Sequence, residues 1–309
     1  ETLEYQHYKL KIIFPEFISR ILIIIPFAMK SINFRIFTTA FLIIFAALFA
    51  QAQVNDISKP LPGRKSQPTI SENSPTFGGE TDAPAGSISV AENPVYNAYT
   101  PAQLVQNVLI TGCLTASNIR FGYYTRSGNN WNWNNHSWAA TAGDRQMAYF
   151  NKGNATFPLN HGLILATGKA SSAMGPNSVA NKTDEMVSNA TDPDLNNITG
   201  RVMRDAAVLE FDFVPAGNTV EFSYIFTSEE YLEYCETEFN DAFGFFLSGP
   251  GINGSYTNNA VNLATINGTT PVSINTIHSA GINVNNIPFP AENAEYYINN
   301  PNGSLTMQY

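Results

Sequence analysis

AVLEFDF, residues 207–213, alternates large apolar side chains with acids. Successive side chains of an extended chain point to opposite sides, so Leu209, Phe211 and Phe213 share one face and Val208, Glu210 and Asp212 the other. The pattern predicts a strand with one face in a core and one toward water. Pro215–Asn218 (PAGN) then predicts a turn, after which Val220, Phe222, Tyr224 and Phe226 line one face of a second strand, opposite Glu221 and Ser223. Ala242–Leu247 (AFGFFL) is apolar on both faces, as a central strand is. Gly162–Thr167, Ala260–Ile266 and Pro271–Ile277 are further strands, separated by Asn and Gly turns.

One helix opens this region. Thr100 can cap, Pro101 suits the first helical position, and Gln103 completes a Thr-x-x-Gln capping box. Leu104, Val105, Val108 and Leu109 form its apolar face, and Gly112 stops it. Many strands, one short N-terminal helix and Gly/Asn/Pro turns predict an all-β fold, a β-sandwich of jelly-roll type over residues 97–309. Leu305–Tyr309 reads as a further strand, so the domain is expected to be C-terminally truncated in this sequence.

Composition narrows the function. The chain has 309 residues, 44% hydrophobic and only 13% charged, with a formal net charge of -9. Nucleic-acid binding is excluded as an expectation, because phosphate contacts need clustered Lys and Arg and no basic stripe is present. Asn, Ser, Thr and Gly supply the polarity instead, which suits an exported β protein.

Met29–Ala52 has the order of a signal peptide: Lys30 and Arg35, the apolar run Ile36–Leu48, then Ala50-Gln51-Ala52 as a small-x-small exit. The run is shorter than the about 20 apolar residues of a membrane span. Cleavage is expected near Ala52, giving a secreted or outer-surface protein with no stable transmembrane segment. Residues 1–28 precede this start and are set aside from the fold as an upstream non-native segment. Residues 53–96 carry Pro60, Pro62, Pro68, Pro75, Pro84 and Pro94 among small polar residues and read as a linker. In an oxidising compartment Cys113 and Cys235, the chain's two cysteines, are expected to form a disulfide.

Phe226–Gly251 (FTSEEYLEYCETEFNDAFGFFLSGPG) holds the densest acids. Carboxylates crowded between strands repel one another, so a cation, water or a basic partner must offset them. Glu229, Glu230, Asn240 and Asp241 are therefore candidate metal ligands, and hard oxygen donors suit Ca²⁺. Asp192 and Asp194, in DPDLNN, resemble the start of a calcium loop but lack the EF-hand glycine at Asn197 and the closing glutamate at Met203.

Trp131, Trp133 and Trp138 lie in WNWNNHSW, where tryptophan beside Asn amides can stack on sugar rings or cap the core. His136, His161 and His278 are scattered and read as surface or turn residues. Nucleophile elbows, zinc-protease helices, phosphate loops and Cys-x-x-Cys are absent. Glu210 and Asp212 are the one carboxylate pair a glycosidase-like hydrolase could use.

These motifs resemble the choice-of-anchor L domain of exported bacterial surface proteins. The likeness rests on QLVQNVL (103–109), GLILATG (162–168), DPDL (192–195), DAAVLEFDFVP (205–215), SEEY with FNDAFGFFLSGPG (228–251) and EYYIN (295–299), spanning about residues 101–309. The Trp-rich insert at 129–138 is outside the shared pattern. The resemblance implies a non-catalytic, extracellular adhesive or ligand-binding module, with a glycan or protein ligand and the secretion and surface-sorting machinery as partners. A secreted hydrolase and a structural spacer are the rival readings.

Overall fold

The computed structural model describes residues 8–16, 87–110, 114–155, 157–174, 184, 186–215, 220 and 222–298. In chain order the strands are β1 (Tyr8–Glu16), β2 (Ser89–Val90), β3 (Thr115–Ser127), β4 (Asn130–Asn135), β5 (Met147–Asn151), β6 (His161–Leu165), β7 (Arg204–Val214), β8 (Ala242–Ser248), β9 (Val261–Asn262), β10 (Thr265–Ile266), β11 (Thr270–Ser273), β12 (Gly281–Ile282) and β13 (Pro288–Phe289). The α-helices α1 (Pro94–Asn97), α2 (Pro101–Leu104) and α3 (Pro193–Thr199) are short. The fold is all-β, as its alternating sequence predicts.

The main sheet runs β10-β11-β8-β1-β7-β3-β4, with β9 also paired to β8; β2-β5-β6 form a smaller sheet and β12-β13 a ribbon. All these pairings are antiparallel. Leu209, Phe211 and Phe213 do face one core, with Phe121, Phe243, Phe245 and Leu247. Met147, Leu163 and Leu165 of the small sheet and the apolar face of the predicted helix close over them. The small sheet buries its other face around Phe150, Phe157 and Ile164. Two sheets over one shared core are compatible with a sandwich.

The capping box forms as the sequence predicts. Gln103 N–H donates to Thr100 Oγ1 at 3.3 Å, and Thr100 N–H to Gln103 Oε1 at 2.9 Å. The helix continues as a π turn over Val105–Leu109 and ends at Ile110; Gly112 lies outside the described residues.

Four expectations need correction. First, the sequence sets residues 1–28 aside from the fold, yet Tyr8–Glu16 runs between β7 and β8. Its Lys-Leu-Lys-Ile alternation suits that place, with Leu10 and Ile12 in the core and Lys9 and Lys11 behind. Second, Ser89–Val90 and Pro94–Asn97 fold inside the stretch read as linker. Third, the face of β7 expected in water is covered: Val208 and Glu210 are 0% and 1% exposed. Leu195, Met203 and Phe246 form a second apolar cluster there.

Fourth, Val220–Phe226 joins no ladder among the described residues. Its rings lie over the inner face of β8 instead, Phe222 on Phe245 at 4.7 Å and Tyr224 on Phe243 at 4.8 Å. The period of two reflects that packing and not an edge pairing. Residues 29–52, the turn at 216–218 and Leu305–Tyr309 lie outside the described residues. Among the described residues, no helix is long and apolar enough to cross a membrane.

Candidate functional site

The acidic loop between Phe226 and β8 is largely buried. Ser228, Glu229, Glu230 and Asp241 are 0%, 4%, 1% and 1% exposed. Ser228 ties them together: its Oγ donates to Asp241 Oδ2 at 2.7 Å and accepts Glu230 N–H at 3.0 Å. Cys235 is fully buried and its thiol is free. Burial first, then the charges of Glu236, Glu230, Glu233 and Asp241, push its pKa well up. Cys113 lies outside the described residues, so the expected pairing is not placed.

Asn240 and Asp241 serve the loop as fasteners. Asn275 N–H donates to Asn240 Oδ1 at 3.2 Å and Ile274 N–H to the Asp241 carbonyl at 2.9 Å. The chain after β11 thus folds back along the loop. Val284 N–H donates to the Glu233 carbonyl at 2.7 Å, Asn283 Nδ2 to the Cys235 carbonyl at 3.3 Å, and Glu236 N–H to Asn275 Oδ1 at 2.7 Å.

Glu236 itself has φ 59°, left-handed backbone that a glutamate occupies only when its surroundings fix it.

This clasp brings Glu236 to His278 and Glu292. One ligand atom from each lies within 4.8 Å of the others. His278 is 1% exposed, and it exchanges two backbone hydrogen bonds with Glu292, at 2.9 and 3.0 Å. Its Nδ1–H donates to the Ser279 carbonyl at 3.0 Å, since a carbonyl only accepts. Nε2 therefore faces Glu236 Oε1, 3.4 Å away. A proton on Nε2 makes this contact an ion pair; without it the Nε2 lone pair is open to a metal cation beside the carboxylate. The arrangement matches metal-bound imidazole, whose outer nitrogen donates to a carbonyl. In the sequence His278 reads as a surface or turn residue and Glu292 gives no local signal, because their approach depends on the strand bridge between residues far from the loop.

Asp192 and Asp194 stand elsewhere. Asp241 precedes β8 and Asp194 lies near Phe246, so about 17 Å of strand separates the two groups. Asp192 caps α3, accepting Asp194 N–H at 2.8 Å and Leu195 N–H at 3.3 Å. Lys11 Nζ lies 2.6 Å from Asp192 Oδ2 and 2.9 Å from Asp194 Oδ2. Asp194 Oδ1 accepts from both N–H and Oγ1 of Thr257, at 2.8 and 2.7 Å. An ammonium thus holds the carboxylates assigned to a metal on sequence grounds. Burial raises Asp192 to about 6 despite Lys11, so it is ionised at neutral pH. For Lys11 burial alone would lower the pKa; the two carboxylates outweigh it and raise it.

Glu210, one of the hydrolase pair, accepts from Arg120 Nε at 2.9 Å and from Tyr124 Oη at 3.1 Å, with Lys9 at 3.3 Å. Asn118 donates to Asp212 at 2.6 Å. The cleft beside Lys11, Tyr124 and Glu210 encloses about 20 Å³, room for one water and not for a sugar.

The tryptophans divide. Trp133 packs with Leu195 and Met203 under the Arg120 guanidinium, 4.0 Å from its ring centre. Trp138 packs on the main core, with Arg145 at 4.4 Å. Trp131 sits on edge strand β4 beside Arg126 at 5.6 Å and belongs to neither cluster.

A family model described as the Choice-of-anchor L domain matches residues 90–309. No curated protein and no solved structure matches the chain.

Proposed function

Because the chain belongs to the choice-of-anchor L domain family, a surface-associated and non-enzymatic kind of module, we propose that it binds a ligand outside the cell through a divalent cation on the clasped acidic loop. Glu236, His278 and Glu292 hold the ion, and its open positions take oxygen atoms of a glycan or matrix protein. The observation that carries this reading is the convergence of the three ligand atoms within 4.8 Å, with Nε2 turned toward Glu236. One imidazole and two carboxylates suit Zn²⁺ or Mn²⁺ better than Ca²⁺, which prefers oxygen alone.

Thermal unfolding after EDTA treatment, with Zn²⁺, Mn²⁺, Ca²⁺ or Mg²⁺ added back, tests it. A cation at 100 times its Kd should stabilise the fold by about 2.7 kcal/mol. Glu292→Gln, at an exposed position, should remove most of that response while leaving the chelated protein's midpoint in place. Retention on immobilised polysaccharide or matrix protein should follow the same cation. A midpoint unmoved by all four ions sinks the proposal. A Ca²⁺ response that survives Glu292→Gln would move the ion to Glu229, Glu230, Asn240 and Asp241.

A further inference from the structure

Strands β7 and β8 are hydrogen-bonded through β1 and not to each other. Tyr8–Phe14 runs antiparallel to Ala207–Phe213, and Lys9–Ile13 antiparallel to Gly244–Ser248. The family match begins at residue 90. Both walls of this slot therefore lie inside the family domain, and the strand that fills it lies outside.

The slot selects on both faces. Leu10 and Ile12, each 0% exposed, lie between Phe211 and Leu247 and between Leu209 and Phe245. Behind them Lys11 meets Asp192 and Asp194, its ammonium 5.0 Å from the Tyr124 ring, and Lys9 meets Glu210. A slip of one residue would drive the lysines into the core and the aliphatics among the acids. A wholly apolar strand would leave two buried carboxylates without their ammonium, which is strongly unfavourable. An empty slot would bare two strand edges as well.

We propose that the cleft between β7 and β8 is a strand-acceptor site whose occupant is the lysine-aliphatic strand Tyr8–Glu16, held exchangeably, so that the same strand offered in trans can replace it. Insertion of an extended segment between open edges is an established mode of recognition, in which the backbone gives affinity and the alternate side chains specificity. In the uncleaved chain the residues between Glu16 and Ser89 tether the strand to its slot, so occupancy in cis rests on effective concentration, and the cleavage expected near Ala52 would itself cut this tether. Cutting that tether converts the arrangement into a binding equilibrium.

The test uses the full chain with a site-specific protease sequence inserted after Gly63. The folded protein is cut, then mixed with a fluorescent peptide of sequence Tyr8–Glu16 or with the same peptide carrying Lys11→Glu. The first peptide should displace the native strand and raise the anisotropy saturably; the second should bind about 100-fold more weakly or worse. If cutting unfolds the chain, the first peptide should restore its far-UV circular dichroism and the second should not. Equal binding of the two peptides would overturn the proposal. So would a cut chain that stays folded and takes neither, or one that unfolds and is rescued by neither.

Discussion

Lys11 Nζ lies 2.6 Å from Asp192 Oδ2, and these two residues join the first strand of the chain to the cap of a helix in its middle. The ammonium is the positive charge that makes burial of Asp192 and Asp194 tolerable.

Lys11→Met keeps most of the side-chain volume and removes the charge. It is expected to destabilise the fold by about 3–5 kcal/mol, because both carboxylates stay buried. Adding Asp192→Asn should recover part of that loss. Urea unfolding of the two single variants and the double variant measures the coupling, and strictly additive losses would contradict it.

His136 is 8% exposed, with its Nε2–H donated to the Ala206 carbonyl at 3.2 Å. Burial lowers its pKa from 6.5 to about 4. The unfolded chain thus takes up this proton first as pH falls, and stability should drop between pH 6.5 and 4, by roughly 3 kcal/mol if His136 acted alone. Asp192, raised from 3.8 to about 6, works in the opposite sense, since the folded chain binds its proton first. His136→Gln keeps a donor and does not titrate, so its urea midpoint should fall less over the same window. Parallel profiles for the two proteins would rule out the imidazole as the cause.

Trp133→Ala is expected to destabilise the protein by about 3 kcal/mol, since the ring fills the space between Arg120 and the Leu195 cluster. Trp131→Ala should change stability by less than about 1 kcal/mol. Thermal or urea melts separate the two. A large loss at Trp131 would assign that ring to packing and remove it as a ligand contact.

Cys235 should be inert to a thiol reagent in the native state at pH 8, because it is 0% exposed and its thiol pKa is pushed up. In a Cys113→Ser variant the remaining thiol is expected to react only at the rate of unfolding. Prompt stoichiometric labelling of that folded variant would show the loop to be open.

The alternation in Ala207–Phe213 and the apolar run Ala242–Leu247 marked two central strands, and Thr100 with Gln103 marked a helix start. Each of these signals is local, written within a few residues by the period of a strand or the geometry of a cap. The acidic loop was likewise legible as a place of unusual charge. Its partners were not: His278 and Glu292 reach Glu236 only through hydrogen bonds between segments some forty residues apart.

The amino-acid order by itself determined which residues extend, which faces turn inward and where the carboxylates crowd, because those properties depend on neighbours along the chain. The tertiary structure alone decided that Tyr8–Glu16 enters the main sheet, that Lys11 stands between Asp192 and Asp194, and that His278 faces two glutamates. Those outcomes depend on register and charge matching between distant segments, which no short stretch of sequence encodes.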